Sequence, residues 1–346
     1  MSSAFRQYVM KIGSGRLTGR DLSREESCRA MQMLLCQDAT PAQMGAFLIA
    51  HRIKRPTPEE LAGILDAFDA LARPLVLLPG APSPVVLSSP YDGQDRLAVV
   101  TPLTALIVSA LGQGVILHGS SAMPPKHGHT SFDILMGLGI DIGRDAATLS
   151  EQYRALGLGW VVLSAHFPEA YALQPLRDEL GKRPPLATAE LLWNPVGAGL
   201  PILGYTHRET VNLAVATAAV RGDREAFTMV RGVQGSVNCT LFHPNLGQRW
   251  MRGWTAPEEF RLVASDFGLG ADDCPLVGDG NDLERQITWT RATLEGKDTP
   301  LRRAAIFNAA FVLAEAGATP SIAEAIPQAT RALDDGLALR LLEKLH

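Results

Sequence analysis

The chain has 346 residues, 46% of them hydrophobic, a formal net charge of −4 and a pI near 6.1, which predicts one large domain or two unequal ones. The acidic balance argues against a generally basic nucleic-acid binder, although a local basic stripe remains compatible with it. Four cysteines without a CxxC pair, no signal peptide and no apolar run long enough to cross a bilayer predict a cytoplasmic protein with no membrane partner.

The first 74 residues have the pattern of a helical domain. Ser23 is followed three positions later by Glu26, as in a capping box. Thr40-Pro41 and Thr57-Pro58 also predict helix starts, because proline is favoured at the first position of a helix. Apolar residues then recur at helical spacing after each start.

Short apolar runs and helical patterns alternate beyond Pro74. Such alternation predicts a mainly parallel sheet with helices packed around it. The predicted strands are 75–78, 85–87, 115–117, 160–163 and 227–230. The predicted helices are 102–111, 168–180, 208–220 and the stretch from Thr299 to the C-terminus.

The predicted fold is therefore α/β, with a small N-terminal helical domain and a large α/β domain around a mainly parallel central sheet. We place the helical domain in residues 1–74, joined by part of 175–220. The α/β domain is placed in residues 75–346.

Several motifs carry a resemblance to a known family. The helical domain of anthranilate phosphoribosyltransferases is closely resembled by three segments, Asp21-Leu22-Ser23, Thr40 to Leu48 and Arg52-Ile53-Lys54. The wider glycosyltransferase family of these enzymes includes pyrimidine nucleoside phosphorylases. His118-Gly119 stands where the family has KHGN, and Lys126-His127-Gly128 matches the loop that follows. Leu176-Arg177, Leu180-Gly181 and Arg183 match VRxxLGxRT, and Asn194-Pro195 follows at the expected spacing. Residues 266–269 and 308–310 also match, so the similarity covers nearly the whole chain.

This resemblance implies a cleft between two domains, a homodimer formed through the helical domain, and phosphorylated-sugar and aromatic-acid ligands. The family transfers a phosphoribosyl group from a pyrophosphate-bearing sugar to an amine. Such a donor needs backbone N–H groups from a glycine-rich turn. It also needs Mg²⁺ held by carboxylates to neutralise the leaving pyrophosphate.

The donor loop departs from the family pattern. Where the family has GTGGD, this chain has a segment from Ser88 to Arg96 that contains Pro90, Asp92, Gly93 and Asp95. Pro90 removes an N–H donor, and the two aspartates add negative charge beside a polyanion. The sequence is also compatible with an ordinary surface turn, and we favour that interpretation.

The elements that follow the donor loop are altered as well. The family motif N-I-S-T is replaced by Val99 to Pro102, in which Thr101 is either a phosphate ligand or a helix N-cap. The adjacent Asp-Glu pair that holds Mg²⁺ in the family is replaced by Val237 and Asn238. We therefore predict no metal site, and expect Mg²⁺ only if the donor site functions. Spacing alone gives no reason to build another site from Asp92, Asp95 or Glu190.

A second cation motif is also incomplete. Residues 278–282 look like a calcium loop, but Thr290 stands where an EF-hand needs its closing glutamate.

A positive and polar remnant of the cleft remains. By resemblance, Arg177 pairs with the acceptor's carboxylate, a role that suits the forked donors of guanidinium; the alternative is a surface arginine on an amphipathic helix. Arg183, Lys126, His118 and Gly119 complete the predicted acceptor or anion side. His118 follows a buried strand and could instead be hydrogen-bonded in the core.

Two classes of function follow; nothing in the sequence selects a third, a small-molecule sensor that kept the cleft and lost catalysis. The first is an anthranilate phosphoribosyltransferase-like protein with degraded phosphoribosyl-pyrophosphate and Mg²⁺ sites, whose enzymatic activity is left open and which is not expected to catalyse the tryptophan-pathway step. The second is a non-enzymatic protein that binds nucleic acid without sequence preference on the same dimeric fold, because the chain resembles divergent family members of that kind. Its candidate basic clusters are Arg52, Lys54 and Arg55, and Lys126, Arg177, Lys182 and Arg183.

Overall fold

The computed structural model describes residues 3–15, 18–121, 123–271 and 282–346. Four helices begin the chain: α1 (Ser3–Gly13), α2 (Arg24–Leu35), α3 (Pro41–Lys54) and α4 (Pro58–Leu71). The predicted helix starts are confirmed, because Ser23, Thr40 and Thr57 each form a capping box. α1 packs against α3, and α2 packs against α4.

A buried carboxylate ties these helices together. Glu60 is 0% exposed and accepts hydrogen bonds from the backbone N–H groups of Leu22 (2.9 Å) and Thr57 (2.8 Å) and from Lys54 Nζ (2.8 Å). His51 Nε2 lies 3.3 Å from the same carboxylate. Burial would raise the pKa of Glu60, but these donors outweigh it and lower that pKa to about 2.

Seven strands form one sheet in the described part of the chain. They are β1 (Pro84–Ser88), β2 (Gly114–Gly119), β3 (Leu158–Val162), β4 (Leu200–Gly204), β5 (Ala226–Val230), β6 (Asn245–Met251) and β7 (Glu258–Leu262), in the order β3-β2-β1-β4-β5-β6-β7. The first five strands are mutually parallel; β6 pairs antiparallel with β5, and β7 pairs antiparallel with β6. The predicted fold class, helical N-terminal domain plus mainly parallel sheet, is confirmed.

Helices cover both faces of this sheet. They are α5 (Thr101–Ala110), α6 (Ser131–Gly137), α7 (Ala146–Leu156), α8 (Leu163–His166), α9 (Pro168–Tyr171), α10 (Gln174–Leu180), α11 (Leu186–Leu192), α12 (Arg208–Arg221), α13 (Leu283–Leu294), α14 (Arg302–Glu315), α15 (Ile322–Asp334) and α16 (Leu337–Lys344). Single 3₁₀ turns span Val233–Gly235 and Ala264–Phe267. The predicted helical C-terminal stretch is confirmed.

Two apolar cores lie on opposite faces of the sheet. Successive strand residues point to opposite faces, so Trp160 and Val162 belong to one core and Val161 to the other. The first core packs the sheet against α5, α14, α15 and α16. The second joins the sheet to the N-terminal helices, with Phe68 and Trp193 in edge-to-face contact 5.7 Å apart.

Two predicted elements need correction, and β4 and the β6–β7 hairpin were not predicted. Residues 75–78 form no strand; the N–H of Val76 donates instead to the Ser150 hydroxyl, and β1 already has a partner strand on each side. The predicted helix 168–180 is broken into α9 and α10. Pro175 lacks the N–H that would donate to the carbonyl four residues earlier, so it stands in the first turn of the new helix α10. The β6–β7 hairpin was not predicted, since polar and charged residues interrupt its alternation.

Segments from the second half of the chain extend the helical part. α10 contacts α3, and both α11 and α12 contact α4. The division into 1–74 with part of 175–220, and 75–346, stays a prediction. Within the described ranges no helix has the length and apolar character needed to span a bilayer. The calcium-like motif falls mostly outside the described residues.

Candidate functional site

The carboxyl ends of β1, β2, β4 and β5 meet at one edge of the sheet, where open α/β sheets place their ligands. The loops that follow these strands contain most of the predicted site residues. Asp92, Gly93 and Asp95 follow β1, and Lys126 lies in the loop after β2. Val237 and Asn238 lie in the loop after β5.

The segment after β1 is not a surface turn. Tyr91, Asp92 and Gln94 are each less than 5% exposed, whereas Asp95 and Arg96 lie at the surface. The interpretation as a surface turn was therefore wrong. Its composition is typical of a turn, but contacts with a neighbouring loop bury it.

That neighbouring loop comes from residues 126–129. Gln94 and His129 exchange two backbone hydrogen bonds of 2.8 Å, and Gly128 N–H donates to the carbonyl of Asp92. Lys126 Nζ donates to the carbonyl of Gly93 at 2.9 Å. Burial lowers the pKa of Lys126, because the ammonium loses hydration there.

Two glycines make this contact possible. Gly93 has φ +75°, and a Cβ built on it would lie 2.2 Å from the carbonyl oxygen of Gly128. A Cβ on Gly128 would lie 2.6 Å from the backbone nitrogen of Gln94. The surviving glycine of the donor loop thus serves a contact between two backbones.

Arg183 closes the loop from the other side. Its Nε and Nη2 donate to the two carboxylate oxygens of Asp92 at 2.5 and 2.6 Å. The Asp92 side chain is 4% exposed and that of Arg183 is 38% exposed. This bidentate pair occupies the planar face that an anionic ligand would need.

His118 is hydrogen-bonded in the core, as the alternative from the sequence allowed. Its Nδ1 lies 2.5 Å from the Tyr91 hydroxyl. Burial lowers the pKa of His118 to about 3 and raises that of Tyr91 well above its usual value. Both groups are therefore neutral at physiological pH, and Gly119 continues the strand beside them.

A small polar cavity remains between these elements, with a volume of about 20 Å³. Gln94 Nε2, His118 Nε2 and His129 Nε2 are buried and have no hydrogen-bond partner among the described residues, and all three residues line the cavity. That volume holds about one water molecule. Ligand pockets for cofactor-sized molecules are of the order of 300–1,000 Å³.

Arg177 lies neither at the surface nor open to a ligand. It is 1% exposed and forms a bidentate pair with Glu190, which is 2% exposed. Burial raises the pKa of Glu190 against the opposing influence of Arg177. The surface-arginine alternative is wrong, because the guanidinium is buried and paired with a carboxylate of this chain.

The position where the resemblance expects the metal-binding acid pair is occupied by hydrogen bonds within the chain. Asn238 Oδ1 accepts from Thr101 Oγ1 at 2.9 Å, and Asn238 Nδ2 donates to Gln94 Oε1 at 3.3 Å. Thr101 is the first residue of α5 and makes no side-chain cap, so the N-cap alternative is also wrong. Val237 offers no ligand atom.

Mg²⁺ does not fit this arrangement. Mg²⁺ is usually held in octahedral geometry by one or two carboxylates together with waters and substrate phosphates, and Val237 and Asn238 supply no carboxylate. No group of three or more His, Cys, Asp and Glu side chains capable of holding a metal occurs among the described residues. Burial would raise the pKa of Asp95, but the hydrogen bond from Gln234 and the charge of Lys126 outweigh it and lower that pKa.

The two predicted basic clusters meet at one point. Arg52 donates to the backbone carbonyl of Arg183, which places the end of α3 beside the loop 181–183. Lys54 is neutralised by Asp21 and Glu60. Arg55 and Lys182 are exposed and have no ion pair within the described residues.

Sequence reasoning missed the partners that close the site. Tyr91, Gln94 and Gln234 stood out by no motif, and Glu190 was considered only as a metal ligand. Glu190 lies thirteen residues after Arg177, its partner. No sequence pattern indicated that either residue is buried, so the pair was not predicted. Such partners emerge only from the tertiary contacts.

The fold and its strand-end loops define a two-domain α/β protein built around a potential ligand cleft. Residues 6–72 match the helical bundle domain of the glycosyl transferase family, and residues 92–339 match its a/b domain. The chain therefore belongs to this glycosyl transferase family.

Its relatives and structural neighbours include anthranilate phosphoribosyltransferases. The enzyme of Methylocella silvestris is 32% identical, with 97% of this chain and 94% of the relative aligned; that of Methylobacterium nodulans is 30% identical over 99% and 98%. The crystal structure of the enzyme from Thermus thermophilus superposes with a TM-score of 0.78 at 25% identity, covering 99% and 98% of the chains. The Saccharomyces cerevisiae enzyme, solved with PRPP and Mg, shares the fold with a TM-score of 0.83 at 19% identity, over 100% and 97%.

Proposed function

We propose that this chain is an anthranilate phosphoribosyltransferase-like protein that does not use phosphoribosyl pyrophosphate and Mg²⁺ as its relatives do, and does not catalyse the tryptophan-pathway step. The observation that carries this proposal is the closed donor loop. Asp92 is held by Arg183, Gly93 is covered by Gly128, and the space left is about 20 Å³.

The metal side supports the same proposal independently. A valine and an already hydrogen-bonded asparagine stand where the resemblance requires two acids. Without a metal, nothing neutralises the leaving pyrophosphate. The metal side and the phosphate side of the donor position therefore support the same proposal.

Calorimetric titration with phosphoribosyl pyrophosphate and Mg²⁺ tests the proposal, with the Thermus thermophilus enzyme as positive control. We expect no binding tighter than about 1 mM, a free energy of roughly −4 kcal/mol. Consumption of anthranilate should stay at the background rate. Binding in the micromolar range would refute the proposal.

A variant separates the two causes. Val237→Asp/Asn238→Glu restores the acid pair and removes the Asn238–Gln94 hydrogen bond, but it leaves the Arg183–Asp92 pair and the Gly128–Asp92 backbone hydrogen bond in place, so it should gain no donor binding. If this variant binds the donor in a Mg²⁺-dependent way, the metal position alone was limiting and the loop is not closed in solution.

The second candidate is sequence-independent nucleic-acid binding. The contact of Arg52 with Arg183 favours it, because it brings Arg55 and Lys182 to the same rim of the cleft. Phosphate contacts of this kind give affinity that falls steeply with salt. A homodimer formed through the helical domain would bring two such rims into one particle.

Fluorescence anisotropy with single- and double-stranded oligonucleotides over a salt series tests this candidate. Arg55→Gln/Lys182→Gln should lower the salt slope by about two, one per lost phosphate contact. Arg340→Gln, an exposed arginine on α16, is the matched control. Absence of binding at low salt would exclude nucleic acid.

A further inference from the structure

A cavity of about 350 Å³ lies where three helices connect to strands of the sheet. The connections α4–β1, α11–β4 and α12–β5 line it, within residues 72–74, 193–197 and 221–224. Its volume lies in the range of small-molecule pockets. None of the residues described along its wall belongs to the donor loop, to the metal position or to the predicted acceptor side.

A motif that was matched to the family by spacing, without a role, lies in this wall. Asn194 and Pro195 both line the cavity. Trp193 beside them donates through Nε1 to Asp69 Oδ1 at 2.9 Å on the cavity wall. Its ring also contacts that of His118, with the centroids 6.0 Å apart. The buried indole thus stands between the cavity and the closed site.

A buried arginine organises the charged part of the wall. The Arg221 side chain is 7% exposed and donates to Asp69 and to Asp223, each at 2.6 Å. Asp69 is 45% exposed, so part of its carboxylate remains open. A carboxylate accepts about four hydrogen bonds, and Asp69 accepts two within the described residues. It can therefore accept further hydrogen bonds from a ligand.

Arg224 supplies a second cation, which is only partly paired. Its side chain is 9% exposed. Its Nε lies 3.3 Å from Asp223 Oδ1, and its Nη2 donates to the carbonyl of Leu192 at 3.1 Å. A guanidinium carries five N–H donors, and no other acceptor among the described residues contacts those of Arg224. A buried guanidinium with unused donors on a cavity wall is suited to a carboxylate ligand.

The formal charges of the described wall cancel. Asp69 and Asp223 stand against Arg221 and Arg224. A ligand with a single charge of either sign therefore meets a like charge as well as an opposite one. A ligand that carries both charges a few bonds apart avoids this repulsion, because each charge finds its own partner.

We propose that this cavity binds a small aliphatic zwitterion of the α-amino acid class. Its carboxylate lies at Arg224, its ammonium group at Asp69, and its apolar side chain against Ala72 and Pro74, which also line the cavity. Such a ligand bridges α4, which contains Asp69, and the connection α12–β5, which contains Arg224. It therefore stabilises the helical part against the sheet. The site does not rest on the proposed function, because it uses no residue of the donor loop.

Isothermal titration calorimetry with three matched probes tests the proposal. L-Norleucine carries both charges, hexanoate lacks its ammonium group, and pentylamine lacks its carboxylate. We expect one-site binding of L-norleucine, and binding of either singly charged probe at least about tenfold weaker, because each loses a charged hydrogen bond. Absence of saturable L-norleucine binding at about 10 mM, or equal binding of all three probes, would overturn the proposal.

Two substitutions assign the charged ends of the ligand. Arg224→Gln should weaken L-norleucine and hexanoate by about tenfold and leave pentylamine unchanged. Asp69→Asn should weaken L-norleucine and pentylamine and leave hexanoate unchanged. Arg340→Gln, an exposed arginine that donates to a backbone carbonyl, is the matched control. Equal weakening of all three probes by either variant would make that residue structural and overturn its assigned contact.

A cavity-filling variant tests the location. Ala72→Leu places an isobutyl group where a methyl group lines the cavity and should weaken L-norleucine at least about tenfold. Ala70→Leu, exposed on α4 and outside the lining, should leave binding unchanged. Folding of each variant is followed by near-ultraviolet circular dichroism, so that a loss through unfolding is recognised. Unchanged binding in a folded Ala72→Leu variant would refute the cavity as the site.

Hydrogen exchange supplies a second measurement of location that needs no variant. L-Norleucine should slow amide exchange in residues 193–197 and 221–224, because the ligand bridges these connections. Protection confined to residues 88–96 would place the ligand in the donor loop and would refute the assignment.

Discussion

The Arg177–Glu190 pair gives the strongest quantitative prediction. Both side chains are almost fully buried and are joined by two charged hydrogen bonds. Hydrogen bonds to charged groups contribute about 1.5–3 kcal/mol each. Removing one partner also leaves an unpaired buried charge. Arg177→Met should therefore lower the free energy of unfolding by about 3–5 kcal/mol.

The loss should depend on pH in a defined direction. Burial already raises the pKa of Glu190 in the native state, and loss of Arg177 raises it further. A carboxyl that binds its proton more tightly in the folded state makes stability fall as pH rises through the unfolded-state pKa. The deficit of the variant against wild type should be smaller at pH 5 than at pH 8.

Urea unfolding followed by circular dichroism at the two pH values measures both quantities. Arg177→Met/Glu190→Leu removes both charges and should recover most of the stability. A single variant destabilised by less than about 1 kcal/mol, as for an exposed pair, would refute the reasoning. So would a double variant no more stable than the single one.

Three further predictions follow from the same structure. Glu60→Gln should cost about 3 kcal/mol at pH 7, and wild type should lose this advantage as pH falls from 4.5 towards about 2, measured by urea unfolding. A high-resolution crystal structure should show one ordered water in the small polar cavity; an empty cavity there would contradict the geometry. Iodoacetamide at pH 8 should label exposed Cys36 and not Cys239, because burial raises the pKa of the Cys239 thiol to about 12; mass spectrometry of peptides distinguishes them.

Local patterns allowed much of the fold to be predicted from the sequence. The capping boxes at Ser23, Thr40 and Thr57 depend on residues three positions apart, so they are readable without tertiary information. Four of the five parallel strands, β1, β2, β3 and β5, follow from short apolar runs between helical patterns, whereas β4 was not predicted. The β6–β7 hairpin lacks such a run and escaped prediction.

The site was harder to predict, because its character depends on contacts distant in sequence. The packing of α10 and α11 decides that Arg177 lies in the core and that Glu190 lies opposite it. The burial of Asp92 depends on Arg183, ninety-one positions away. Motif resemblance located these residues in the cleft, but only the packing shows that each already has a partner.

The contact between Gly93 and Gly128 has a consequence for how this chain can evolve. Each position faces the backbone of the other loop, and backbone cannot rotate away as a side chain can. A larger residue at one position cannot be accommodated by a smaller one at the other, because both are already glycine. A side chain at either position disrupts the same contact, so selection for the closed loop acts on both glycines together. Descendants of this chain should keep both glycines, or lose both together with the loop arrangement that they hold closed.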